Sequence, residues 1–203
     1  MKQILILIFL SSPLIAMQLT AHKYNQEKTN ALMAILNQIT PGLMKNAQWV
    51  KQIQQAVNEG ADPNIFIEDG FFKDITLLNG LFGMDSMVDE GKLISILLQK
   101  GANPNLWVYE SPLHCACRKG YIMIVRQLIE HNAKVDAKTL QGVSPLMVAV
   151  ENKFLGIAHV LLQHGALGDI DFVDAWGKTP LSFARKNNLT DMVTLLEDYK
   201  SRK

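Results

Sequence analysis

Apolar residues recur along this chain in adjacent pairs set four positions apart. Leu93-Ile94 with Leu97-Leu98, Ile124-Val125 with Leu128-Ile129, and Ile157-Ala158 with Leu161-Leu162 each fall at i, i+1, i+4 and i+5. That spacing draws one buried stripe along an α-helix. Ile53, Ala56 and Val57 form a shorter version upstream. After each stripe comes a residue that tolerates a left-handed backbone: Gly60, Gly101, Asn132 or Gly165. The pattern predicts helices that bury one side and stop at sharp turns.

A shorter helix is predicted after three of the striped segments. Its start is marked by Ser111-Pro112-Leu113-His114-Cys115-Ala116, then Ser144-Pro145-Leu146-Met147-Val148-Ala149, then Thr179-Pro180-Leu181-Ser182-Phe183-Ala184. In each, a hydroxyl stands where a helix needs an N-cap. Proline follows at the first helical position, where a missing N–H costs nothing. The leucine points inward, and the small alanine lets neighbouring helices approach. Gly120, Lys153 and Asn188 occupy the turn inside each helix pair. Lysine is the least comfortable of the three in a left-handed conformation, so that turn is expected to be distorted.

The steps begin 33 and 35 residues apart. A self-similar period of this size, carrying a T-P-L-H-x-A step, resembles the ankyrin repeat. The resemblance covers residues 59–203, and it implies an all-α repeat solenoid. In such an ankyrin array, helix-turn-helix units are joined by β-turn or hairpin fingers, here with an N-terminal helical cap. Residues 1–21 stand apart, 22–58 read as a degenerate helical pair, and the repeats run approximately 72–106, 107–139, 140–174 and 175–203. The first of these is divergent. Thr76-Leu77-Leu78-Asn79 lacks the proline, and Thr76 to Gly101 spans 25 residues against 21 in the next two copies. The surplus fits an enlarged loop around Gly83-Met84-Asp85-Ser86. The resemblance also implies that His114 bonds across neighbouring turns, a link that Met147 and Ser182 leave incomplete.

The N-terminus follows a different pattern. Lys2 precedes the apolar run Ile4–Leu10, and Ser11-Ser12-Pro13 and Leu14-Ile15-Ala16 follow. A basic start, a short apolar stretch and small residues beyond it look like a secretory signal peptide over residues 1–21, implying a secreted or periplasmic protein. A retained membrane anchor over residues 3–21 is the rival, since no charge falls between Gln3 and Ala21. Cleavage after Ala16 or after Ala21 would leave leucine at the −3 position in either case. Removal at Ala21 leaves 19 basic and 19 acidic side chains. That balance gives no electrostatic reason to bind nucleic acid, or a membrane once the leader is gone.

The two cysteines, Cys115 and Cys117, lie two apart on a helix and point to different sides, so they are expected to pack rather than to pair or hold metal. The histidines begin no metal motif, no glycine-rich loop precedes a Lys-Ser/Thr pair, and no serine sits in a G-x-S-x-G elbow. The chain is therefore read as non-enzymatic, with no cofactor, no metal and no small-molecule substrate.

The resemblance places partner binding on the fingers and on the exposed side of the short inner helices. It thus implies a scaffold or adaptor for a protein partner, acting as a monomer. A membrane-tethered interaction protein, or a regulatory inhibitor of an enzyme, would use the same surface. Carried onto this chain, the fingers are Leu106–Glu110, Lys138–Val143 and Phe172–Lys178, with an inserted one at Ile65–Lys73. The candidate binding residues on the fingers are Phe71, Phe72, Trp107, Tyr109, Leu140, Gln141, Trp176 and Lys178. On the inner helices they are Arg118, Lys119, Glu151, Asn152 and Lys186. The finger aromatics have two readings, as anchors for a partner or as packing of finger on finger.

Overall fold

The computed structural model describes residues 24–38, 48–67, 75–82, 87–107 and 109–202. The leader at 1–21, the tip of the inserted finger with Phe71 and Phe72, and the loop around Gly83–Ser86 lie outside the described residues. The chain divides into two compact units at the Leu106/Trp107 boundary.

The first unit holds helices α1 (Gln26–Gln38), α2 (Gln48–Asn58), α3 (Leu77–Leu81) and α4 (Met87–Gln99). It also holds a two-stranded antiparallel ladder of β1 (Phe66–Ile67) and β2 (Ile75–Thr76), with Phe66 opposite Thr76 and Ile67 opposite Ile75. Helix α2 packs against both α1 and α4. The stripes read from the sequence are buried: Ile53, Ala56 and Val57 on α2, and Leu93, Ile94, Leu97 and Leu98 on α4. Gly60 and Gly101 both have positive φ after their helices. The following alanines, Ala61 and Ala102, return their N–H groups to the carbonyls of Ala56 and Leu97 at 3.0 and 2.8 Å. This reach back across the last turn satisfies carbonyls that the helix itself leaves unpaired.

Asn64 ties successive turns of this unit together. Its side-chain amide donates to the Gly101 carbonyl at 3.1 Å, and its Oδ1 accepts from the Asn103 N–H at 2.6 Å. The repeated Gly-Ala-Asp/Asn-Pro-Asn segments are therefore a hydrogen-bonded stitch as well as helix stops.

The second unit is three helix pairs in series: α5 (Pro112–Lys119) with α6 (Ile122–Glu130), α7 (Pro145–Glu151) with α8 (Leu155–Gln163), and α9 (Pro180–Lys186) with α10 (Thr190–Ser201). Inner helices α5, α7 and α9 stack on one another, and so do outer helices α6, α8 and α10. Ser111, Ser144 and Thr179 are the N-caps, accepting from the N–H of His114, Met147 and Ser182 at 3.4, 3.2 and 3.0 Å. Ala116, Ala149 and Ala184 are fully buried. Each has a second duty, since its carbonyl accepts the N–H of Tyr121, Phe154 or Leu189 at 3.0, 2.9 and 3.0 Å, closing the inner helix. The intervening residue must be left-handed: φ is 77° at Gly120, 63° at Lys153 and 55° at Asn188. Lys153 thus adopts the same turn as its neighbours, and the expected distortion is absent. Gly120 has a further constraint, because a Cβ there would lie 2.7 Å from the Phe154 ring.

A short helix of this unit escaped the sequence pattern. The segment from Gly165 to Thr179 is longer than its counterparts, and the extra length forms a 3-10 helix, Ala166–Asp171, that buries Ala166, Asp169 and Ile170. The surplus lies beneath the finger and does not enlarge its tip.

Candidate functional site

Two fingers of the second unit share one turn geometry. At the first, the Thr139 N–H donates to the Val143 carbonyl at 3.0 Å and the Gly142 N–H to the Thr139 carbonyl at 2.9 Å. At the second, the Asp174 N–H donates to the Lys178 carbonyl at 2.9 Å and the Gly177 N–H to the Asp174 carbonyl at 3.0 Å. Gly142 and Gly177 have φ of 76° and 75°. The side chain of the leading residue braces each turn from inside. Thr139 Oγ1 accepts from the Val143 N–H at 3.2 Å, and Asp174 Oδ1 accepts from the N–H of Trp176 and Lys178 at 2.9 and 2.8 Å. A backbone bond joins the fingers, the Ala175 N–H donating to the Gln141 carbonyl at 2.8 Å.

These turns leave their tip side chains in solvent. Leu140 is 87% exposed and Trp176 is 61% exposed. Neither is a comfortable place for so much apolar surface unless something covers it. Tyr109, on the finger that precedes α5, is 63% exposed. Gln141 and Lys178 are exposed as well, while Trp107 is half-buried. The two readings of the finger aromatics therefore divide by residue. Phe172 lies between the two: it is 44% exposed, yet the Lys138 ammonium sits 4.7 Å above its ring and its edge lies close against Gly142. Trp176 and Tyr109 project.

Lys138 also reaches back into the base of the finger. It makes an ion pair with buried Asp169 and donates to the Asp136 carbonyl at 2.9 Å. Burial pushes the Asp169 carboxyl above its ordinary value, and the Lys138 ammonium opposes that shift.

On the inner helices, Arg118, Lys119 and Lys186 are exposed. Arg118 is ion-paired with Glu110 of the preceding finger. Glu151 and Asn152, expected to be exposed, are half-buried. For Asn152 the cause is local: its amide folds back to donate to the Val148 carbonyl at 2.8 Å and closes α7. Sequence reasoning missed Lys138 and Phe172 as a coupled pair. Their only signal was a basic residue at the start of one finger and an aromatic at the start of the next.

Behind this surface, His114 is fully buried. Its Nδ1 lies 2.7 Å from Ser111 Oγ and accepts from the Ser111 N–H at 3.3 Å, and its Nε2 is 3.0 Å from the Val143 carbonyl. Nε2 is therefore the protonated nitrogen, and the ring ties one repeat to the finger of the next. Burial holds its pKa below the ordinary imidazole value. At the corresponding position, Ser182 turns inward on its own cap: the Thr179 N–H donates to its hydroxyl, which donates to the Thr179 carbonyl, each at 2.9 Å. Both thiols are free. Burial pushes Cys115 up to about 12 and raises Cys117 as well, so neither is a ready thiolate.

Residues 86–171 match the family described as ankyrin repeats (3 copies). The chain is 31% identical over 154 residues to YahD of Escherichia coli K12, which is named as an ankyrin repeat protein, an alignment covering 71% of each chain. It is 31% identical over 116 residues to human SMC5-SMC6 complex localization factor protein 1, covering 53% of this chain and 11% of the relative. With the mouse B-cell lymphoma 3 protein homolog the identity is 27% over 150 residues, covering 68% and 34%. The family match, the long alignment with YahD and the repeated capped helix pairs agree. The chain is a member of the ankyrin-repeat family, with the all-α repeat fold that membership entails.

Proposed function

We propose that this protein is an exported adaptor that binds another protein through the finger tips and exposed inner-helix residues of its second unit. Ankyrin repeats are protein-interaction modules and are generally non-catalytic, which sets the class of activity. The observation that carries the assignment to this surface is the pair Leu140 and Trp176. Both are held out from rigid, mutually bonded turns with most of their apolar area in water. Turns braced in this way leave little backbone freedom to be lost on binding, and the exposed side chains contribute contact area directly. Export rests on the basic-then-apolar order of residues 1–21, and the exported form acts as a monomer without catalysis of its own.

The test has two parts. Mass measurement of the protein recovered from its native host is expected to show loss of the leader, and an intact leader would support the tethered reading instead. Affinity capture from the same host is then run with the wild type and with Leu140→Ser and Trp176→Ala. Both variants are expected to keep wild-type melting behaviour and lose the captured protein. Retention of the same protein by both would remove the finger tips from the binding role.

A further inference from the structure

We infer that Lys138 is a proton-operated latch. With Asp169 ionised it clamps the finger that carries Leu140 to the short helix of the next repeat, and with Asp169 protonated it lets that finger go. The clamp is a device of the fold, and its effect on a partner rests on the protein-binding reading above.

The clamp closes on one place from both ends of the finger. Lys138 opens the finger, directly before the Thr139 brace and two residues before Leu140. Its ammonium pairs with buried Asp169 on the 3-10 helix, donates to the Asp136 carbonyl at 2.9 Å, and stands 4.7 Å over the Phe172 ring. The edge of the same ring lies against Gly142 at the far end of the finger, where a Cβ would come 3.3 Å from it.

Asp169 is the weak member. Lys138 takes its Oδ1, while Oδ2 is buried with no hydrogen bond of normal geometry among the described residues. A buried carboxylate so incompletely satisfied gains by taking a proton. Burial pushes its pKa up; Lys138 first and the Ser144 hydroxyl second oppose that push, and Asp136 adds to it. Asp169 therefore titrates above the ordinary carboxylate range. The helices packed against the 3-10 helix bring Glu151 at the far end of α7, His159 on α8, Arg185 on α9 and Lys200 on α10. Arg185 and Lys200 are paired with Glu197 and Asp171, each at 2.6 Å, and His159 meets the Tyr199 ring edge-on. Two more titratable groups hold the fingers: His114, bonded to the Val143 carbonyl, and Asp174 in the facing turn. Once Asp169 is neutral, Lys138 is a half-buried cation without its counter-ion, and its flexible stem carries it to water. Thr139 and Gly142 keep the shape of the turn, so the finger moves as a unit. The bond it gives up is the one from the Ala175 N–H to the Gln141 carbonyl.

Amide hydrogen exchange on the full chain, read residue by residue, tests the latch without any partner. The informative quantity is the exchange rate of Ala175 relative to Gly142, because the intrinsic effect of pH on exchange is common to both. As pH falls from about 7 to about 4, this ratio is expected to rise at least about fivefold in the wild type. Asp169→Asn, which mimics the neutral acid, and Lys138→Met are expected to show the raised ratio already at neutral pH, with no further rise on acidification. Lys138→Arg keeps the charge and is expected to keep the wild-type profile. A flat ratio in the wild type would overturn the inference. So would loss of protection at Gly142 and along α6 and α8 in step with Ala175, which is general unfolding. A rise that persists undiminished in Asp169→Asn would assign the response to His114 or Asp174 and overturn it too. Capture of the native partner is then compared at neutral pH, where Asp169→Asn is expected to retain several-fold less, since binding has to reorder a freed finger. If exchange behaves as described and capture is unchanged, the latch stands and the partner binds elsewhere. If exchange fails while Leu140→Ser still loses the partner, the binding surface stands without a latch.

Discussion

The two units solve one packing problem with different amounts of local help. In the second, every inner helix has a hydroxyl cap, a first-turn proline and a buried alanine whose carbonyl ends the helix. In the first, α3 has five residues, no proline, and a cap from Thr76 to the Asn79 N–H of 3.4 Å. What it has instead is the β1/β2 ladder leading straight into that cap, and burial of Ile65, Ile67, Leu77 and Leu78. The lesson is that the outer-helix stripe is the invariant part of the design. Local signals that start the inner helix are replaceable by neighbouring structure.

If that is right, the stripe substitutions are the costliest in both units. Leu128→Ala and Leu97→Ala each empty a fully buried site and are expected to cost about 2–5 kcal/mol. Chemical denaturation with amide exchange read out on each unit checks this. A small effect at Leu97 alongside a large one at Leu128 would show that the first unit relies on something other than its stripe.

His114 sharpens the contrast, since its place in the first unit is taken by Asn79, which does not titrate. The terminal amide of Gln cannot reach the partners of both ring nitrogens at once, so His114→Gln is expected to cost about 1–3 kcal/mol at neutral pH. The His pKa is lowered by folding, so the unfolded chain takes up this proton first. The contribution is complete above the unfolded value of about 6.5 and declines as pH falls below it. Asp62 and Asp169, both raised by burial, act in the opposite sense. The gap between wild type and His114→Gln is therefore the proper readout, and it should narrow on acidification. A gap independent of pH would contradict the buried neutral ring.

The cap substitutions are smaller. Thr179→Ala is expected to cost about 1 kcal/mol, and Thr76→Ala less, because its cap bond is longer and its helix begins from a paired strand. Equal costs, measured as shifts in denaturation midpoint, would mean that the ladder lends α3 no support.

The legibility of these features from sequence follows the same division. The stripes and the caps were marked by residue type at fixed spacing, and the repeat period multiplied each weak signal, whereas at Lys153 residue type pointed to a distortion that the turn does not have. The 3-10 helix Ala166–Asp171 and the two-residue strands were not, because elements so short complete no period and are held by tertiary burial. The site was half legible. Leu140 and Lys178 are exposed where the finger assignment put them and Trp176 takes the projecting one of its two readings, whereas the roles of Asn152 and Phe172 depend on contacts to a carbonyl and to a neighbouring finger that residue type does not announce.

The finger turns separate their frame from their message. Thr139 and Asp174, with Gly142 and Gly177, hold the loop shape from inside, and the join between fingers runs from backbone to backbone at Ala175 and Gln141. The side chains at 140, 141, 175 and 176 take no part in that frame. Their identities are open to exchange without disturbing the stack, so a change of partner needs only four replaceable letters on an unchanged type-face. A library randomised at those positions would be a ready source of new specificities on this scaffold.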